Sequence, residues 1–345
     1  MKLDLTAEQQ MIQAMAREFA ETDIKPIAAE IDRDARFPHE TVKRMGELGL
    51  MGMTVPEQWG GAGVDTVSYV LALIEIAKVC ASHCVIMSVN NSLYCDPVNW
   101  FGTDAQKERF LKPYASGHLL GCFSLTEPQA GSDASNLATL AMRDGESYVL
   151  NGRKVFVTNG REASAALVFC QTERGAGHRG ITAFLVEKSA PGFHVTKTED
   201  KLGIRASDTA ELVFEDCRVP VANRLGGHGE GWKIAMRILN SSRTGIAAQA
   251  VGIATGAYER SVAYARERKT FGVPIGQHQM VQWMIADMAT TVEAARLLTI
   301  RAAWLRDAGQ PYVAAASMAV AMSASIHCTI WCWPMGTPNA LRSLA

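Results

Sequence analysis

The residues best equipped for chemistry lie in one stretch, Cys122 to Gly160, CFSLTEPQAGSDASNLATLAMRDGESYVLNGRKVFVTNG. Within it, Thr126 to Ser132 is crowded with hydroxyls and backbone donors and has few bulky side chains. Such a loop can lie against a flat polar ligand, donating hydrogen bonds from backbone N–H groups and from Thr126 and Ser132. Spacing alone favours an ordinary polar turn, so the ligand reading needs more than the motif. A second candidate is Arg268-Lys269-Thr270-Phe271-Gly272, which follows a helix and begins a loop; a basic helix C-terminus favoured by the macrodipole is its plain alternative. A third is Arg243, whose fork of donors suits phosphate or carbonyl oxygens.

The elements that must position these residues follow from periodicity. Thr6-x-x-Gln9 is a capping box, and Met11, Ile12, Met15, Phe19 and Ile24 recur at helical spacing toward Pro26. Pro38 to Leu48 reads as a helix stopped by Gly49. Val67 to Cys80 and Val85 to Phe101 are apolar enough for buried helices, and Thr103-x-x-Gln106 caps another. From Leu119 the pattern changes to short β-branched runs, Tyr148 to Leu150, Lys154 to Thr158, Ala166 to Cys170, Ile181 to Val186, Phe193 to Thr196 and Thr209 to Phe214. Asp144-Gly145 and Asn151-Gly152 are hairpin signals between them. Trp232 to Arg268, Gln279 to Arg306 and Pro311 to about Ile330 return to helical spacing and imply a bundle. The expected fold is therefore α+β: a helical segment 1–118, an antiparallel β-barrel or sandwich 119–229, an incomplete helical bundle 230–330 and an irregular tail 331–345. The glycine clusters at Gly60 to Gly63 and Gly227 to Gly231 lack the strand and helix context of phosphate-binding fingerprints.

The central stretch resembles the flavin-binding segment of the acyl-CoA dehydrogenases. TEP and GSD stand in Thr126 to Asp133, and the aromatic-x-Thr-Asn pattern is Phe156 to Asn159. The similarity extends from about Leu5 to Asp307. It points to the short-chain (butyryl) branch through MSVNNSLY at Met87 to Tyr94, EDKLGIR at Glu199 to Arg205 and FEDCRVP at Phe214 to Pro220. The resemblance implies FAD as cofactor and short-chain acyl-CoA as substrate. It also implies α,β-dehydrogenation, with electrons passed to an electron-transfer flavoprotein. Carried over by position, Phe123, Leu125 and Thr126 would line the flavin, and Phe156, Val157 and Thr158 would cover its other face. Relatives commonly have Trp where Phe156 stands, so the apolar face is kept and the indole N–H lost. Ser132 would contact the CoA portion, and Asn240, Ser241, Ser242 and Arg243 form another substrate segment. Arg268 and Thr270 would reach the flavin of a neighbouring subunit, with His278 and Gln279 near it. A homo-oligomer, by resemblance a tetramer, is implied.

The resemblance fails in one place. A glycine-rich QxxGG segment and a YEGT motif carrying the catalytic base are expected after the third bundle helix, and neither is found; the chain reads as truncated or frame-shifted there. A different branch carries its base where this sequence has Ser242, and a hydroxyl cannot replace a carboxylate at neutral pH. Glu127 and Glu293 are the remaining carboxylates considered, and no base is assigned. A non-catalytic remnant that binds acyl-CoA or a protein partner is the alternative, and an oxidase the third.

Composition narrows the field. The 345 residues carry 34 basic and 35 acidic side chains, a net charge of −1, which gives no electrostatic reason to expect nucleic-acid binding. Eight cysteines lie scattered without a Cys-x-x-Cys pair, so neither a disulfide framework nor a structural zinc site is expected, and His327, Cys328 and Cys332 lack a fourth ligand. The N-terminus has neither a secretory nor a transit signature, so a cytoplasmic location is expected. Tyr312 to Trp333 is long enough to span a bilayer, but its Ala, Ser and Thr content argues against a span.

Overall fold

A computed structural model describes residues 4–331, with side chains through residue 323. The expected irregular tail, apart from Trp331, lies outside the described residues, as do the side chains of His327, Cys328 and Cys332. A helical N-terminal part, a middle β-sheet part and a helical C-terminal part follow in order, as the sequence suggests. Among the described residues no helix is long and apolar enough to cross a membrane. Spatially the chain forms two compact units. One holds residues 4–33, 65–84 and those from Arg243 onward; the other holds Asp34–Val64 and Val85–Ser242.

In the first unit, Thr6 opens α1 (Ala7–Phe19) with both bonds of the expected capping box. The spacing ends this helix near Pro26, but the chain continues through a π-helical turn, Ala20–Ile24, into α2 (Lys25–Arg33). A proline in an ordinary helix interior lacks a donor and crowds the preceding turn. The wider π turn relieves the crowding, and Pro26 then stands in the first turn of α2. In the second unit α3 (His39–Glu47) stops at Gly49, whose φ of 73° only glycine adopts cheaply.

Helix α4 (Thr66–Val79) is N-capped by Asp65, and the Asp307 carboxylate accepts from the N–H groups of Thr66 and Val67 at 2.9 and 3.0 Å. The expected helix Val85 to Phe101 is divided into α5 (Ala81–Ser88), a π-helical segment Val89–Cys95 and α6 (Asp96–Phe101). Two short helices, α7 (Asp104–Phe110) and α8 (Lys112–Ala115), lead to the sheet.

The strands are β1 (Gly121–Ser124), β2 (Leu140–Asp144), β3 (Ser147–Thr158), β4 (Ala165–Gln171), β5 (Ile181–Glu187), β6 (Phe193–Thr198), β7 (Thr209–Pro220) and β8 (Arg224–Leu225). They pair in the order β6-β7-β3-β2-β4-β5-β8, and β1 lies parallel beside β4. The remaining pairs are antiparallel except a short parallel contact of β2 with β4. Strand β4 is buried along its whole length, so alternate side chains enter two cores. Leu167 and Phe169 pack toward Tyr94, Phe110 and Ile234, whereas Val168 and Cys170 pack toward Leu150, Leu212 and Phe214.

Asp144-Gly145 makes the expected turn, with Gly145 at φ 59° between β2 and β3. Asn151-Gly152 does not. It lies inside β3 at a shift of register opposite β7, and the Asn151 side chain exchanges hydrogen bonds with Asp216 at 2.9 and 3.1 Å. The same dipeptide chemistry that suits a turn here serves a bulge. A Cβ on Gly152 would stand 2.5 Å from Thr139 Oγ1, so the bulge allows a close approach.

Beyond the sheet, α9 (Gly231–Glu267), α10 (Gln279–Asp307) and α11 (Val313–Trp331) match the three expected helices. Between α9 and α10 a two-stranded hairpin, β9 (Lys269–Thr270) and β10 (Val273–Pro274), turns through Phe271 and Gly272 at positive φ.

Candidate active site

After β1 the chain leaves the sheet and returns only at β2. Glu127 gathers this excursion. Its carboxylate accepts from Ala138 N at 2.6 Å and Thr139 N at 3.1 Å, where the excursion ends, and from Gln129 Nε2 at 2.6 Å. From β3, Lys154 Nζ donates to the Glu127 carboxylate at 2.7 Å and to Leu125 O at 3.0 Å. Both side chains are buried, at 0 % and 1 % exposure. Burial opposes the Glu127 charge, but Lys154 and the bonds from Thr139 and Ala138 outweigh it and hold the carboxyl below its usual range. Burial in turn lowers the Lys154 ammonium. Glu127 is therefore a structural anion with its lone pairs engaged.

The other carboxylate considered, Glu293, is exposed. It forms a two-point bond with Arg296 at 2.7 and 2.8 Å, which holds it below its usual range. Ser242 Oγ donates to Leu239 O in its own helix at 3.2 Å. None of the three is arranged to take a proton from a substrate carbon.

Opposite the excursion the register shifts a second time, and here the extra residue is on β3. Lys154 faces Leu212 and Val157 faces Ala210, so Val155 and Phe156 together oppose one residue of β7. Phe156 takes a left-handed φ of 58°, rare and costly for an aromatic residue, and its ring is 66 % exposed. A strand that kept its ladder would have turned this ring into the sheet.

The bulge and the excursion border one cavity of about 100 Å³. Phe123, Leu125, Thr126, Phe156 and Thr158 line it, five residues named from the sequence, together with Val89, Leu93 and Val155, which were not. Six of its eight lining residues are apolar and two are threonines. The hydroxyls of Thr126 and Thr158 have no partner among the described residues, and this combination fits the face and the polar edge of a flat heteroaromatic ring. Val157 points elsewhere, into the core with Leu150, Ala210 and Leu212.

Val89 and Leu93 reach the cavity from the π-helical segment, which two buried asparagines hold in place. Asn90 Nδ2 donates to Met51 O and Tyr114 O, and its Oδ1 accepts from Gly121 N. Asn91 Nδ2 donates to Leu50 O and Met87 O, and its Oδ1 accepts from Met53 N. The adjacent amides in an apolar run were the available sign, since buried amides occur where backbone groups need partners.

The other expected residues lie apart from this cavity. Ser132 is exposed in the excursion, next to Asp133, whose Oδ1 accepts from Ser135. Asn240 and Arg243 are on α9, with Arg243 exposed, and Ser241 and Ser242 are buried. Thr270 Oγ1 and His278 Nε2 stand 3.0 Å apart, with Arg268 and Gln279 exposed beside them. A second cavity of about 510 Å³, unforeseen from sequence, includes Ser135, Asn136, Gln171 and Arg174 in its lining.

Three family models match the chain in succession: the acyl-CoA dehydrogenase N-terminal domain on residues 6–118, the middle domain on 122–217 and the C-terminal domain on 229–332. The chain belongs to the acyl-CoA dehydrogenase family. A short-chain specific acyl-CoA dehydrogenase of Clostridium acetobutylicum is 48 % identical over 326 residues, 94 % of this chain and 86 % of the relative. Butyryl-CoA dehydrogenase of Megasphaera elsdenii superposes with a TM-score of 0.95 at 39 % identity, covering 100 % of this chain and 94 % of that one. A chain solved in work on the electron-transferring flavoprotein of Acidaminococcus fermentans gives a TM-score of 0.96 at 45 % identity, covering 100 % and 93 %. The family uses FAD, and the middle-domain match, 122–217, contains the excursion and the bulged strand of this acyl-CoA dehydrogenase.

Proposed function

We propose that this acyl-CoA dehydrogenase seats the isoalloxazine of FAD across the cavity beneath Phe156 and uses it to introduce an α,β double bond into short-chain acyl-CoA thioesters. The observation that carries the reading is the convergence, on one recess of mixed lining, of an outward-turned aromatic ring and two threonine hydroxyls without a partner among the described residues. Bound FAD supplies the acceptor for the substrate hydride. Phe156 covers one face of the ring and keeps water from it, while Thr126 and Thr158 donate to its polar edge. Val157 contributes through its backbone. Ser132, Asn240, Ser241, Ser242 and Arg243 hold the CoA thioester, and Arg243 supplies the charge suited to its phosphates.

Acyl-CoA is the substrate class and an electron-transferring flavoprotein the electron partner, in line with the names of the relatives. Arg268, Thr270, His278 and Gln279 are assigned to the cofactor of a second copy in a homo-oligomer, a tetramer by family likeness. Supporting this, Phe271, Trp283 and Met280 beside them are 97 %, 70 % and 58 % exposed, a concentration of apolar surface that association would cover. The functional division 1–118, 119–229 and 230–330 is supported by the spans of the family models. A cytoplasmic location is supported by six described cysteines, all buried and free.

The rival reading, a binding protein that does not turn over, draws on the engagement of Glu127, Glu293 and Ser242. One experiment separates them. Purified protein loaded with FAD and mixed anaerobically with butyryl-CoA should bleach at the flavin band; yellow protein that stays yellow selects the rival, and protein that takes up no FAD defeats both the site and the function proposed.

A further inference from the structure

Strand β3 ends at Thr158 and turns at once through Asn159 to Glu162. That turn is tied to Asp208, the residue before β7, at two points: Asn159 N donates to Asp208 O at 3.1 Å, and Arg161 N donates to Asp208 Oδ2 at 2.7 Å. Asn159 is wholly buried at φ 63°, and its Nδ2 donates to Ile86 O on α5 at 3.3 Å, just before the segment that brings Val89 to the cavity. Asp208 is itself buried, and its Oδ1 has no partner among the described residues.

We infer that Asp208 is a positioning residue: through the Arg161 N–H its carboxylate fixes the turn that sets Phe156 and Thr158 on the cavity, and it slackens that hold when protonated. The inference rests on the flavin reading of the cavity. The charged and titratable groups around Asp208 come from several elements. They are Glu162 in the turn, which pairs with His39 at 3.6 Å, Lys188 after β5, Lys201 in the loop before β7, and the Cys122 thiol of β1. The Lys188 ammonium donates to Arg161 O and that of Lys201 to Ser207 O, so both brace the same loops. Burial is the main influence on Asp208. Glu162 adds to it, the Arg161 N–H and the two lysines oppose it, and the net effect lifts the carboxyl to about 6. Protonation falls within reach of mild acid, and the proton has the unpartnered Oδ1 to occupy.

The test uses the whole chain. Infrared difference spectra of the apoprotein between about pH 5 and about pH 7.5 should show a protonated-carboxyl band that titrates and is missing from Asp208→Asn. The FAD dissociation constant of the wild type should rise about fivefold over the same descent in pH, the ratio between a charge-assisted and a neutral hydrogen bond. In Asp208→Asn it should be flat. Asp208→Ser, which keeps an oxygen for Arg161 and cannot ionise, should also be flat and serves if Asp208→Asn does not fold. A wild type without the band, or a variant that keeps the FAD slope, overturns the inference. FAD uptake with a pH-independent constant overturns this inference alone, whereas no uptake at any pH overturns the flavin reading and this inference with it.

Discussion

Replacing Lys154 by methionine should release the excursion that carries Thr126. The substitution keeps the length and apolar stem of the side chain and removes only the ammonium, which donates to Glu127 and to Leu125 O. What remains is a buried carboxylate held by Gln129, Ala138 and Thr139. Breaking a buried ion pair from one side costs roughly 3–5 kcal/mol, and three surviving donors put this case near the lower figure. At about 2–4 °C per kcal/mol for a unit of this size, the melting temperature should fall by about 6–12 °C. The sign of the pH dependence follows from the depressed Glu127 carboxyl. The stability it contributes is present above its unfolded value, about 4, and is lost as pH falls through the lower folded value, so the deficit of Lys154→Met should close in acid. Calorimetry of Lys154→Met, Glu127→Gln and the double variant measures the coupling, expected at about 2 kcal/mol or more. FAD retention should drop in parallel. A Lys154→Met protein within about 1 kcal/mol of wild type, with zero coupling and unchanged FAD retention, would refute the account of Glu127 as the anchor of the loop.

Phe156→Gly should relieve the left-handed backbone, leaving stability equal or up to about 1 kcal/mol higher, while FAD binds several-fold more weakly; denaturation and flavin titration measure the two effects. Gly152→Ala should destabilise by about 1–3 kcal/mol in urea unfolding, because its Cβ would meet the Thr139 backbone at 2.7 Å. Asp208→Asn should stabilise the protein above pH 6, since the native carboxyl is lifted from 3.8 to about 6 and the charged form is the one burial disfavours. The wild type has the full benefit of its bound proton below about pH 4 and loses it as pH rises toward 6, so the variant's advantage should grow over that range to about 3 kcal/mol, read from unfolding midpoints at several pH values.

Much of the architecture was legible because it rests on local patterns. The capping boxes at Thr6 and Thr103 and the helical spacing of α9 and α10 are read within a few residues of where they act. Pro26 and Asn151-Gly152 misled for the opposite reason. The π turn is a way for the backbone to carry a proline onward that spacing alone does not show, and the β-bulge answers a partner distant in sequence, Asp216 for Asn151, while the dipeptide itself looks the same in either setting. The same limit governed the site. Thr126 and Phe156 stood out through motif resemblance, but nothing around Phe156 announces a bulge, because the offset is fixed by how β3 registers against β7. Lys154 alternates correctly as an inward position, and only the pairing with Glu127 explains why a charge is tolerated there. Val89 and Leu93 were legible as core residues, not as cavity walls, since a π-helical segment turns side chains through a different angle from the one periodicity assumes.

The π-helical segment Val89–Cys95 winds more widely than the α-helices on either side of it. An extra residue in a helical ladder behaves like a dislocation in a crystal: each hydrogen bond that switches partner lets it glide one step along the axis, rotating every side chain it passes. Asn90 and Asn91 pin it, because their amides are matched to carbonyls and N–H groups on stationary backbone and lose those matches after a single step. The shape of the recess that Val89 and Leu93 help enclose is thus set by two amides that face away from it.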